Sequence, residues 1–255
     1  MATKEQQSRF QEFGYIFVRR LFSPDEMTGL TTVAKNDRQL ASEAYGKRDA
    51  TGAETKLAVR NDLEQSPYSA VVRSARVART MEALLGDEIY HYHHKMMLKE
   101  PRVGGAWEWH QDYGYWYQNG CLYPDMASCL IAVDTASQAN GCLQILERSH
   151  KIGRIDHVKI GDQVQADPER VAAAIGHLNL VYCEMQPGDA LFFHGNLLHR
   201  SDANTSDDPR WSLICCYNTK HNDPFIRNGR HPNYQPLEIW DDEKVSKLLT
   251  EPSTQ

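Results

Sequence analysis

The chain has 255 residues, of which 41% are hydrophobic and 24% are charged, and its formal net charge is -6. This length can bury a substantial core, and all-β domains of this size are commonly undivided, so we expect one domain over residues 1–255. The negative charge and the lack of a basic run mixed with aromatic residues argue against a nucleic-acid partner.

The N-terminal residues 1–15 are polar and helical in pattern, unlike the apolar core of a signal peptide. No segment reaches the roughly 18 apolar residues of a membrane-spanning helix. We therefore expect a soluble, cytoplasmic protein that does not act at a membrane; the sequence does not indicate its oligomeric state. Six cysteines without paired spacing predict buried, reduced thiols, and they are Cys121, Cys129, Cys142, Cys183, Cys215 and Cys216.

The first 88 residues form a predicted helical part. Residues 10–21 indicate a short helix followed by a strand, and a Ser-Pro-Asp-Glu cap predicts a helix over residues 23–36. Residues 40–62 are polar and lack periodicity, which predicts a long loop of the kind that covers sites. Helical spacing returns over residues 71–85.

From residue 89 the pattern changes to short strands without intervening helices. The candidate strands are residues 89–98, 107–112, 127–133, 141–146, 181–185, 190–194, 198–203 and 211–217. They predict a mainly β fold with flanking helices and a double-stranded β-helix core, a cupin-like jelly roll, over about residues 89–220. Residues 154–178 form a partly helical insertion, a second candidate lid, and the extension 221–255 ends in a short helix near residues 241–249.

The triplet His110-Gln111-Asp112 is the first candidate for a metal site. Alternate residues of a strand face the same side, so the histidine and the aspartate can reach one ion while Gln111 points away. Such a triplet alone is weak, because a hydrogen-bonded strand pair has the same sequence.

A second segment supports the triplet. A Pro-Gly-Asp turn leads into an apolar strand that ends near His194 and His199, either of which could be the third ligand. Arg210 follows a turn, and if that turn closes a hairpin, Arg210 returns beside Ser201, where the two could hold a carboxylate. Two imidazoles and one carboxylate suit non-haem Fe(II).

The chain resembles the phytanoyl-CoA dioxygenase family of Fe(II)/2-oxoglutarate oxygenases. The matching segments cover about half of the chain in the family's order: residues 97–101, 109–112, 140–144, 149–151 and 187–210. The resemblance implies iron ligation by His110, Asp112 and His199, and a small-molecule substrate oxidised with O₂, with release of succinate and CO₂. It also implies that Arg210 and Ser201, with Lys95, contact the cosubstrate 2-oxoglutarate.

Two local features refine what the resemblance implies. Halogenating relatives have a small residue at the position of Asp112, so its carboxylate favours hydroxylation of an unactivated C–H bond. His199 lies in the family's Leu-Leu-His-x-Ser context, which favours it over His194 as the third ligand. The sequence departs from the family pattern at Glu147-Arg148, where relatives usually have Pro-Gly. The resemblance therefore does not predict the conformation of this turn.

Tyr113, Tyr115, Trp116 and Arg60 are candidate pocket residues, although core packing explains the aromatic residues equally well and a solvated charge pair explains Arg60. An enclosed aromatic pocket with a few cations favours a compact substrate with an acidic or polar group. Two other functions have the same ligands or fold, namely a zinc-dependent hydrolase and a noncatalytic jelly-roll binding protein. A hydrolase would not need a cosubstrate clamp.

Overall fold

The computed structural model describes residues 1–160, 162–227 and 229–251. It begins with α1 (Lys4–Phe13), β1 (Tyr15–Val18) and α2 (Pro24–Asn36). The Ser23 hydroxyl accepts a hydrogen bond from Glu26 N, and the Glu26 carboxylate accepts one from Ser23 N. This reciprocal cap is the reason that the predicted helix begins where it does.

The prediction of a long loop over residues 40–62 was wrong. The region contains one helix that begins just before it and two strands: α3 (Arg38–Glu43), β2 (Tyr45–Arg48) and β3 (Glu54–Arg60). β3 pairs with the long strand β4 (Ile89–Lys99), with Leu57 opposite Met97. A short polar strand of this kind is stabilised by its partner strand rather than by its own composition, so local pattern does not reveal it.

The helical periodicity over residues 71–85 belongs to two helices, α4 (Pro67–Arg73) and α5 (Ala75–Leu85). Ser74 lies between them, and its hydroxyl accepts a hydrogen bond from Arg76 N. Serine at this position caps the second helix and so divides the predicted element.

The predicted mainly β fold with a double-stranded β-helix core is confirmed. The remaining strands of the core are β5 (Trp107–His110), β6 (Met126–Ala132), β7 (Leu143–Leu146), β10 (Leu180–Cys183), β11 (Ala190–His194), β12 (His199–Ser201) and β13 (Arg210–Thr219). A seven-stranded sheet has the order β1-β11-β6-β13-β4-β3-β2, and a four-stranded sheet has the order β10-β7-β12-β5. All of their pairings are antiparallel.

The insertion at residues 154–178 contains a third, two-stranded sheet and the predicted helix: β8 (His157–Ile160), β9 (Gln163–Ala166) and α7 (Pro168–His177). The side chain of Gln163 connects the insertion to the core. It accepts a hydrogen bond from Glu108 N and donates one to Ala106 O, both at 2.9 Å. The insertion therefore forms a wall beside β5. Near the C-terminus lies α8 (Asp242–Thr250), close to its predicted position.

The seven-stranded sheet separates two cores. On β13, Leu213 and Cys215 pack with the helices, whereas Ile214 and Cys216 face the space between the sheets. Alternation along the strand places Arg210 on the inner side as well. All six cysteines are buried and free, as predicted. Among the helices of the described residues, none is long and apolar enough to cross a membrane.

Candidate metal centre

β5 delivers the first ligand candidate and ends there. His110 is its last residue, Gln111 is extended (φ -113°, ψ 132°), and Asp112 is the first residue of the short helix α6 (Asp112–Trp116). The predicted strand thus stops before Asp112. Because Gln111 keeps an extended backbone, the side chains of His110 and Asp112 still reach the same side.

Gln111 points away from this side, as predicted, and its buried amide has three partners. The amide nitrogen donates to Gly153 O and Asn196 O at 2.8 Å, and the amide oxygen accepts from Ile155 N at 2.7 Å. The side chain therefore ties the triplet to the loop that precedes His199.

His199 lies directly opposite His110 in the pairing of β12 with β5, and their ring centroids are 4.0 Å apart. The potential ligand atoms of His110, Asp112 and His199 all lie within 4.8 Å of one another, and the three residues are buried. His194 does not join them, because its Nδ1 accepts from Asn196 N at 3.0 Å.

The backbone fixes which nitrogen each histidine can offer. His110 Nδ1 lies 2.7 Å from Glu108 O, and His199 Nδ1 lies 2.9 Å from Leu197 O. A carbonyl oxygen only accepts, so each Nδ1 carries the proton and each Nε2 keeps its lone pair. Burial lowers the pKa of both imidazoles, that of His110 strongly, which favours neutral rings.

Asp112 is held as a carboxylate. Its Oδ2 accepts from Ser128 Oγ at 2.8 Å, and its Oδ1 lies 3.7 Å from the ammonium of Lys95. Burial alone would raise the pKa of Asp112, but Lys95, the two histidines and the Ser128 hydrogen bond outweigh it and lower the pKa to about 2.

Arg210 is a buried guanidinium that has no acidic partner among the described residues. Its Nη1 donates to Ser212 Oγ at 3.3 Å, and its buried Nε has no partner in the part of the chain that the structure describes. Burial lowers the pKa of Arg210 to about 10. A buried guanidinium in this condition suits an anionic ligand that is not part of the protein.

Ser201 and Arg210 do not lie on a hairpin, so that prediction was wrong. β12, which carries Ser201, belongs to the four-stranded sheet, and β13 belongs to the seven-stranded sheet. Lys99 links the two residues, because it pairs with Arg210 in the sheet and its Nζ donates to Ser201 Oγ at 2.9 Å and to the Asp202 carbonyl.

Sequence reasoning did not assign a role to Lys99, although it lies within the family-like segment 97–101. The side chain is fully buried, and burial together with the charge of Arg210 lowers its pKa well below the ordinary value. The available signal was a lysine directly after the apolar residues 96–98 of the strand.

Lys95 lies beside the metal cluster. It pairs with Ile214, four residues along β13 from Arg210. Its ammonium contacts Asp112 rather than the Arg210 and Ser201 pair. Lys95 therefore contacts a candidate metal ligand directly.

The aromatic residues after the triplet have different surroundings. The Tyr115 ring lies 5.7 Å from that of His110, and its hydroxyl donates to Val164 O. Trp116 is buried against Tyr92, with ring centroids 5.7 Å apart. Tyr113 instead commits its hydroxyl to the backbone of the following loop, donating to Leu122 O at 2.6 Å.

The structure does not bring Arg60 to the metal cluster. Val59 is opposite Lys95 in the sheet, and Arg60, the next residue of β3, faces the other side. There its guanidinium contacts Glu43 at 2.9 Å and lies over the ring of Tyr68.

The donor set suits an iron ion, because two neutral imidazole nitrogens and one ionised carboxylate are available at one point. Within residues 1–160, 162–227 and 229–251, these three residues are the one group with metal-ligand proximity. His91, His93 and His94 are buried, and they do not form a second group among the described residues.

Comparison with known proteins gives a family match over residues 10–212, to the model described as phytanoyl-CoA dioxygenase (PhyH). L-proline trans-4-hydroxylase of Streptomyces griseoviridis is 29% identical over 170 residues, which are 60% of this chain and 63% of that enzyme. The chain thus matches slightly less than two thirds of that relative's length. Ectoine dioxygenase of Sphingopyxis alaskensis is 29% identical over 235 residues, covering 85% of this chain and 76% of the relative.

A solved structure shows the same fold. The crystal structure of EctD from S. alaskensis with 2-oxoglutarate and 5-hydroxyectoine superposes with a TM-score of 0.79 at 23% identity, covering 94% of this chain and 88% of that chain. Neither a hydrolase nor a noncatalytic binding protein is supported by these relatives.

Proposed function

The chain belongs to the phytanoyl-CoA dioxygenase family and is an Fe(II)- and 2-oxoglutarate-dependent dioxygenase, and we propose that it hydroxylates a compact molecule with an acidic group. The observation that carries this proposal is the position of the metal cluster relative to Arg210. A buried cluster of metal-ligand type faces the space between the two sheets, as does a buried arginine that has no acidic partner among the described residues.

We assign the iron to His110, Asp112 and His199. The neutral rings and the ionised carboxylate support this assignment. We assign the distal carboxylate of 2-oxoglutarate to Arg210 and Ser201, because the guanidinium has no acidic partner among the described residues and Lys99, which pairs with Arg210, reaches the Ser201 hydroxyl.

Iron, O₂ and 2-oxoglutarate together supply the oxidation of an unactivated C–H bond, with succinate and CO₂ as products. The protein's own residues bind and orient these groups. Asp112 is buried and fixed by Ser128, and its presence favours hydroxylation over halogenation. Tyr115 provides rigid aromatic surface beside His110, and Trp116 packs against Tyr92. Aromatic surface of this kind suits a small, enclosed substrate.

The names of the relatives also favour a small substrate. Those reported above are named for L-proline and ectoine, both small molecules. We propose a substrate of similar size for this chain, oxidised within one domain over residues 1–255. We also propose a cytoplasmic location, because six free thiols and the use of Fe(II) suit a reducing compartment.

The experiment that tests the function is a turnover screen that measures succinate. The protein is loaded anaerobically with Fe(II) and 2-oxoglutarate, and air is admitted in the presence of each compound from a panel of amino acids including L-proline, ectoine, phosphonates, acyl-CoAs and natural-product scaffolds. We expect succinate release that requires Fe(II) and rises with a compact acid.

Zn(II)-loaded protein is the matched control and should release no succinate. Hydrolysis of a panel compound by the zinc form, together with a lack of succinate from the iron form, would overturn the proposed function. Binding of panel compounds without any turnover would instead favour the noncatalytic alternative.

A further inference from the structure

The strand that carries His110 lies at the edge of its sheet. β5 is the last strand in the order of the four-stranded sheet, so one side of its backbone has no strand partner among the described residues of that sheet. Side chains of the insertion at residues 154–178 bond to β5 and its end instead. Gln163 accepts a hydrogen bond from Glu108 N, and His157 accepts one from Gln111 N. The insertion thus reaches the triplet that carries two of the ligand candidates.

The hydrogen bonds of His157 determine the protonation of its ring. Its Nδ1 lies 2.9 Å from Ile155 O, and a carbonyl oxygen only accepts, so Nδ1 carries the proton. Its Nε2 therefore has a free lone pair, which accepts from Gln111 N at 3.0 Å. Burial lowers the pKa of His157, which favours this neutral form. Because both nitrogens have partners, His157 is not itself a candidate metal ligand.

Packing on α6 also holds the His157 ring. A β-carbon on Gly114 would lie less than 3.0 Å from three atoms of this ring, which is closer than non-bonded atoms approach. The Tyr115 ring packs against it as well, with ring centroids 5.4 Å apart. Glycine at position 114 is therefore required by the position of the His157 ring.

The bond to Gln111 N acts on the peptide group that follows His110. The orientation of His110 relative to Asp112 depends on the backbone dihedral angles between them. Because a peptide group is planar, a hydrogen bond that fixes its plane restrains ψ of His110 and φ of Gln111 together. The three hydrogen bonds of the Gln111 amide fix the side chain of this residue, whereas His157 fixes its backbone.

We propose that His157 is a positioning residue of the metal centre. By accepting the hydrogen bond from Gln111 N, it holds His110 and Asp112 in the mutual orientation that one ion requires. The proposal rests on the proposed function, because it takes His110, Asp112 and His199 as the iron ligands. It goes further by making the insertion at residues 154–178 a support of the iron site.

Two replacements separate the two hydrogen bonds of His157. In His157→Gln the amide oxygen can reach the position of Nε2 and accept from Gln111 N. In His157→Asn the shorter side chain reaches only the position of Nδ1, where its amide can donate to Ile155 O. The first variant keeps the contact with the metal triplet, and the second keeps only the contact within the insertion.

The test is calorimetric titration of the metal-free protein with Fe(II) under anaerobic conditions, without cosubstrate. Groups that orient metal ligands typically contribute about tenfold or more to metal affinity. We therefore expect His157→Asn to bind Fe(II) about tenfold more weakly than the wild type, and His157→Gln to bind within about threefold of it. His177→Asn, at an exposed position of α7 in the same insertion, is the matched control and should bind as the wild type.

Gly114→Ala provides an independent measurement. The added methyl group displaces the His157 ring, so this variant should also bind Fe(II) about tenfold more weakly. In a His157→Ala background there is no ring to displace, and Gly114→Ala should then change the affinity by less than about twofold. Urea melts identify a variant that does not fold, in which case the other pair of variants decides.

Equal iron affinity of His157→Gln and His157→Asn would overturn the proposal, because the contact with Gln111 N would then not matter. Fully additive effects of Gly114→Ala and His157→Ala would also overturn it. The proposed function fails instead if the wild type does not bind Fe(II), or if His199→Ala binds it as tightly as the wild type does.

Discussion

The ammonium of Lys99 donates a hydrogen bond to Ser201 Oγ at 2.9 Å. This contact joins the seven-stranded sheet to the four-stranded sheet at the end of the site where Arg210 lies. Two buried basic groups thus lie together, and within the described ranges neither is bonded to an acidic side chain. Burial lowers the pKa of both, which is a cost that a bound anion would offset.

Replacing Lys99 with methionine tests the contribution of the lysine to cosubstrate binding. The variant keeps the volume and removes the ammonium, so the KM for 2-oxoglutarate should rise about tenfold or more while folding is retained or improved. Steady-state kinetics and a urea melt measure the two effects. Lys56→Met, at an exposed position of β3, should change neither. A normal KM for the Lys99 variant would show that the lysine only joins the sheets.

Arg210→Lys tests the proposed clamp. Lysine retains one charge but cannot form the two-pronged contact of a guanidinium with a carboxylate, so the KM for 2-oxoglutarate should rise at least about tenfold with less change in substrate affinity. Arg102→Lys is the control, because Arg102 pairs with Asp207 on the surface. An unchanged cosubstrate KM for Arg210→Lys would remove Arg210 from this role.

His194 ends β11 and His199 begins β12, and replacing each in turn tests the ligand assignment directly. His199→Ala should lower iron affinity sharply and abolish turnover, because His199 Nε2 is aimed at the cluster by the Leu197 carbonyl. His194→Ala should retain iron, since His194 Nδ1 is used by Asn196 N. Anaerobic iron titration distinguishes the two. The reverse result would move the ligand to His194.

The local sequence predicted the elements whose causes are local. The Ser23 cap and the strands predicted at residues 89–98 and 211–217 depend on neighbouring residues, and the structure confirms them. The strands β2 and β3 escaped prediction because β3 is stabilised by pairing with β4, more than thirty residues away, and β2 in turn pairs with β3.

In the candidate site, too, features that depend on neighbouring residues could be predicted, whereas features that depend on distant strands could not. The triplet His110 to Asp112 could be interpreted from strand alternation alone. The relation of Ser201 to Arg210 could not, because a turn between two β residues does not say whether the chain forms a hairpin or crosses to the other sheet. Lys99 was missed for that reason, since only the observed sheet order shows what it connects.

Arg148 provides a test of backbone strain at the turn where the sequence departs from its family. Its φ is 66°, a left-handed conformation that an L residue other than glycine adopts at a cost of about 1–2 kcal/mol. Its half-exposed side chain pairs with Glu12 and lies over Phe13, contacts that are worth little at the surface. Arg148→Ala and Arg148→Gly both lose these contacts, but only glycine removes the strain.

We therefore expect Arg148→Gly to be more stable than Arg148→Ala by about 1 kcal/mol, measured from urea unfolding curves. The matched pair at Arg79, exposed within α5, should show the opposite order by a similar amount, because glycine weakens a helix relative to alanine by about 1 kcal/mol. If alanine were the more stable residue at both positions, the left-handed backbone at Arg148 would not be a source of strain.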